Sequence, residues 1–130
     1  MTLERRGFLA GAAALGVAGA AAAATPAPGA MYGMIGKMTA KPGQRDALAA
    51  ILLEGTGAMP GCLSYVVAND PGDGDVLWIT EVRESKAAHG ASLALPAVRA
   101  AITEGRPMIA GMQTIAEAAP VGGAGLGGRR

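Results

Sequence analysis

A chain of 130 residues with a formal net charge of +1 at neutral pH has room for one domain, and it carries no charge excess that would hold nucleic acid or an anionic surface. Its single cysteine, Cys62, excludes an intrachain disulfide. Beyond position 24 the only aromatic residues are Tyr32, Tyr65 and Trp78, so the core is thin, and association into a homodimer is the expected remedy.

The first 24 residues read as an address rather than as fold. Leu3-Glu4-Arg5-Arg6-Gly7-Phe8-Leu9 leads into an Ala/Gly-rich run that ends in Ala22-Ala23-Ala24, a small-residue site at which a peptidase could cut before Thr25. The arginine pair followed by Gly-Phe-Leu resembles a twin-arginine export signal, which predicts a periplasmic or secreted protein. The weakly apolar run suits that route better than a membrane span, its competing reading being an uncleaved N-terminal anchor, and the mature chain is expected to have no span. Its removal leaves nine basic and nine acidic residues.

Residues 25–30, with Pro26, Pro28 and Gly29, read as a linker. Met31 to Thr39 is a first strand with Tyr32, Met34 and Met38 on one face. Gln44 to Gly55 is a helix whose Leu48, Ile51 and Leu52 recur at helical spacing. Cys62 to Ala68 is a second strand, in which Cys62 is expected to be a small buried residue. The run Asn69 to Asp75, NDPGDGD, turns the chain back. Its aspartates do not match the spacing of a calcium loop, and no metal site is expected there. Val76 to Val82 is β-branched and apolar around Trp78, the composition of a buried strand.

Ser85 is placed to cap a short helix that starts at Lys86 and carries His89, the only histidine. Pro96 suits the first turn of the next helix, Ala97 to Glu104. Arg106-Pro107 and Gly111 read as breaks, and Met112 to Ala118 as the last strand. Residues 120–130, with five glycines, read as a flexible tail. The folded region is therefore 31–119. Its order of strand, helix, strand, strand, helix, helix, strand predicts an α+β fold of ferredoxin-like kind: one antiparallel sheet with helices on a single face.

Gly61-Cys62-Leu63-Ser64-Tyr65, then Asp70-Pro71, then WITEVRES from Trp78 to Ser85, then Ala91 to Pro96, resemble the antibiotic biosynthesis monooxygenase domain across the whole folded region. The resemblance implies a dimeric α+β barrel. It also implies oxidation of a small quinol or polyphenol by dioxygen with no cofactor, while a branch of similar fold opens haem. Two positions depart from the family. Arg83 stands where a tryptophan is common, and Ser92 where a histidine or, in the haem branch, an aromatic is found; the histidine here lies three residues earlier.

Oxygenation of that kind needs a base, donors for a phenolate and a dry pocket. His89 is the natural base, since histidine ordinarily exchanges its proton near neutrality; its competing reading is a helix-surface imidazole. Trp78 and Tyr65 are candidates to stack on a substrate ring or simply to fill the core. Arg83 is a candidate partner for a substrate oxygen, or forms an ion pair with Glu81 or Glu84. Asn69 and Ser92 are candidate hydrogen-bonding residues. The methionines are adaptable filler or pocket lining. Two other functions stay open: a ligand-binding protein of the same fold without oxygenase chemistry, and a haem-handling protein.

Overall fold

The computed structural model describes residues 30–56 and 59–126. The expected signal, residues 1–24, nearly all of the linker and the last four residues of the tail lie outside them. The elements are β1 (Tyr32–Ala40), α1 (Arg45–Thr56), β2 (Cys62–Asn69), β3 (Val76–Arg83), α2 (Lys86–Ser92), α3 (Pro96–Gly105), a 3-10 turn (Arg106–Met108) and β4 (Ile109–Ala118). All strand pairs are antiparallel and the sheet order is β2-β3-β1-β4, the expected ferredoxin-like α+β arrangement. No helix among the described residues is long and apolar enough to cross a membrane.

Alternation along the strands sorts the side chains between two faces. On β1, Tyr32, Met38 and Ala40 are buried, and Met38 packs with Leu77 and Ile79 of β3 and Leu48 of α1 as the core. Leu77 is 0% and Leu48 1% exposed, so the periodicity read along α1 does define the face that packs. The opposite face pairs Lys37 with Trp78 and Ile35 with Thr80, and it leaves Ile35 and Val66 exposed. Trp78 is therefore not at the centre of the core. It is half-buried on the open face, its Nε1 donating to Asp70 Oδ1 at 2.8 Å, because its neighbours Leu77 and Ile79 take the helix side.

Local chemistry sets several boundaries. Ser85 caps α2 as expected, its Oγ accepting from Ala88 N at 3.0 Å. Pro96 occupies the first turn of α3. The NDPGDGD run closes on itself: Asp70 Oδ2 accepts from the Gly72 and Asp73 amides, and Arg45 Nη1 donates to Asp73 O at 2.9 Å, tying the turn to α1.

β4 begins at Ile109, three residues before the expected Met112. Gly111 does not break it, because the glycine pairs with Thr39 and a register shift beside Ala40 lets Ile109 join the ladder. Cys62 is half-buried rather than buried, lying on edge strand β2 where the register with β3 slips. Pro120, the first residue of the expected tail, lies against β1: a Cβ on Gly33 would stand 3.0 Å from its Cγ.

Candidate active site

Between the helix side of the sheet and the helices lies a cavity of about 620 Å³. Met34, Met38, Leu48, Leu52, Ile79 and Val98 give it apolar walls that suit a planar ring. At one end four polar side chains, Tyr65, Glu81, Arg83 and His89, border it together.

Strand parity brings these four together. Glu81 and Arg83 follow Leu77 and Ile79 at two-residue intervals and so take the helix side, where they are 4% and 3% exposed. Tyr65 pairs with Glu81 across β2 and β3. α2 then returns along that strand end and sets His89 over Glu81. The His89 Nδ1 to Glu81 Oε1 distance is 3.1 Å, and Arg83 Nε donates to the same oxygen at 2.8 Å. Arg83 also donates from Nη1 to Met59 Sδ at 3.7 Å.

The buried carboxylate has one counter-charge in Arg83, so the pair is internally neutral. Because a carboxylate only accepts, the nitrogen that faces Glu81 is a donor, so in the neutral form of the ring the proton sits on Nδ1 and Nε2 keeps its lone pair. That is the tautomer of a general base with an orienting acid behind it. Tyr65 is held protonated: burial, followed by the Glu81 charge, pushes its hydroxyl up to about 12.

Behind His89, the Tyr32 ring stands 5.2 Å from the imidazole, tilted by 42°. Tyr32 Oη donates to Glu117 Oε1 at 2.8 Å, and Lys86 Nζ reaches the same oxygen at 3.3 Å. Burial and the Glu117 hydrogen bond push Tyr32 up to about 12, and the same bond with Lys86 holds the Glu117 carboxyl below its usual range.

Of the six residues expected to form a site, the structure gathers His89, Tyr65 and Arg83 at the cavity. The other three lie away from it. Trp78 is on the open face of the sheet. Asn69 is exposed at the end of β2, and Ser92 is buried within its helix, its Oγ donating to His89 O at 2.7 Å. Glu81 and Tyr32 are the site residues that sequence reasoning passed over as such. Among the described residues no group of three His, Cys, Asp or Glu side chains is placed to hold a metal ion.

The sequence profile described as antibiotic biosynthesis monooxygenase matches residues 31–104. A crystal structure from Chloroflexus aurantiacus J-10-fl, named for that monooxygenase group, is 61% identical, with 75% of this chain and 99% of that one covered at a TM-score of 0.69. Structures named likewise from Caulobacter crescentus CB15 (19% identity, 72% and 92% covered, TM-score 0.65) and Nitrosomonas europaea (12%, 75% and 96%, 0.66) share the fold. No curated protein matches the chain.

Proposed function

The chain belongs to the antibiotic biosynthesis monooxygenase family, and from that premise we propose that it oxidises a small quinol or polyphenol with dioxygen, without a bound cofactor, using His89 as the base. The observation that carries this reading is the buried Glu81 carboxylate behind His89 Nδ1, which leaves Nε2 free to take a phenolic proton at the polar end of an apolar cavity.

Each residue has a part in the chemistry. Glu81 stabilises the imidazolium once His89 has taken the proton. Tyr65, kept neutral, donates to a substrate oxygen, and Arg83 supports the phenolate charge. The electron-rich anion then reduces dioxygen in the dry cavity. One oxygen atom enters the ring and the other leaves as water, so a quinol becomes a hydroxyquinone, and the four electrons required all come from the substrate.

The exposed Ile35 and Val66 on the open sheet face support association with a second copy. The arginine pair near the N-terminus supports export by the twin-arginine route.

The test is oxygen consumption by the chain lacking residues 1–24, with a panel of quinols and a chelator, against an autoxidation blank. Stoichiometric uptake above the blank is the expected result. Ligand binding with rates equal to the blank would make the protein a binder of the same fold.

A further inference from the structure

We propose that the substrate carries a carboxylate at the end of its ring system remote from the reacting hydroxyl, and that Arg106 receives it. This rests on the cavity being the substrate site. Met34 of β1 pairs with Glu81, which sets the reacting end level with Met34. The cavity continues along β1 past Gly36 and Met38 to Met112 of β4 and to Arg106 at the foot of α3. The four residue steps from Met34 to Met38 alone span about 13 Å of strand. A single phenol ring does not fill that length, so the ligand that does so carries a second group at the far end.

The chemistry of that end is basic. Three cationic residues, Lys37, Arg83 and Arg106, border the cavity, and the first two do not serve this end. Arg83 is held by Glu81 and Met59. Lys37 sends its Nζ to the opposite face, 5.8 Å from the Trp78 ring centroid. Among the described residues, no ion-pair or hydrogen-bond partner meets the guanidinium of Arg106.

Its backbone, by contrast, is fixed on both sides. The Arg106 amide donates to Ile102 O, and its carbonyl accepts from the Ile109 amide. The 3-10 turn is tied down further by Lys41 N, which donates to Met108 O at 2.7 Å. Arg106, an exposed residue, thus borders an apolar cavity from a fixed backbone, with Gln113 and Thr114 bordering it from β4. The guanidinium fork matches a carboxylate bidentately. The carboxylate is a spectator in the oxidation and serves to set the direction in which the ring enters.

The experiment is calorimetric binding of 4′-hydroxybiphenyl-4-carboxylate and of its methyl ester to the wild type and to Arg106→Gln. The acid is expected to bind the wild type about tenfold more tightly than the ester, and Arg106→Gln to remove that preference while leaving ester affinity unchanged. Equal affinities for acid and ester in the wild type would overturn the carboxylate assignment and leave the cavity reading standing. A preference for the acid that survives Arg106→Gln would overturn the role of Arg106. Failure of both probes to bind would overturn the cavity reading and this inference together.

Discussion

Glu81 and His89 meet at 3.1 Å, Oε1 to Nδ1, joining the end of β3 to the short helix that follows it. His89→Ala is expected to lower kcat for quinol oxidation at least tenfold, the low end of what a positioned acid or base contributes. Circular dichroism should be unchanged. Wild-type turnover in the variant, measured by oxygen uptake, would assign the imidazole to the scaffold.

The Glu81–Arg83 pair is nearly inaccessible, so removing one partner strands a buried charge. Arg83→Met alone is expected to destabilise the fold by about 3 kcal/mol. The double variant Glu81→Gln/Arg83→Met should recover most of that loss. Urea denaturation of the singles and the double completes the cycle, and additive losses would show that the pair is not coupled.

Tyr32 and Tyr65 both have folded-state values of about 12 against an ordinary 10.0. Between those values the unfolded chain has released phenolic protons that the folded chain still holds. Their contribution to stability is therefore complete below pH 10 and falls as pH rises from 10 toward 12, by at most roughly 3 kcal/mol for Tyr65 and by less for Tyr32, where solvent screening reduces it. Thermal melting across that range should show the decline, and Tyr65→Phe should make it shallower. A melting curve with the same slope in the variant would remove Tyr65 from the account.

Gly61 and Gly43 have the same φ of +76°, but a Cβ on Gly61 would stand 2.9 Å from Ala88 Cβ, whereas nothing lies within 4 Å at Gly43. Gly43→Ala is expected to cost about 1 kcal/mol in backbone strain alone. Gly61→Ala should cost more and should also lower turnover, because the displaced helix carries His89. Equal stability losses and equal activities would show that the helix absorbs the contact.

Asp70 titrates below its usual 3.8, because Trp78 Nε1 and the Gly72 amide both hydrogen-bond the carboxylate. The stabilisation is present above that pH and is lost as pH falls through the depressed folded value. Trp78→Phe should move the Asp70 carboxyl back up in an NMR titration. An unmoved carboxyl would assign the depression to the turn amides alone.

The element order is legible in the chain because its signals are local. Leu48 and its helical neighbours mark α1, Ser85 marks a cap, and NDPGDGD marks a turn. The site is less legible because charge is read as exposure, whereas Glu81 and Arg83 are buried by their place in the alternation that begins at Leu77. That two-residue rhythm was present in the sequence and identifies their face. The same parity sends Trp78, the most conspicuous residue of the strand, to the other side. Tyr32 meets His89 only through the pairing of strands far apart in sequence, and no local pattern announces it.

The cavity and the exposed patch around Ile35 and Val66 lie on opposite sides of one four-stranded sheet. The polar groups described at His89, Glu81 and Arg83 among them, lie on the helix side of the sheet, away from that patch. A partner covering the far side would leave that machinery complete in each copy, so turnover per subunit should stay constant as protein is diluted and substrate saturation should be hyperbolic. With a copy packed there, the sheet would separate two evolutionary freedoms: association could be remodelled on one side while substrate choice drifts on the other.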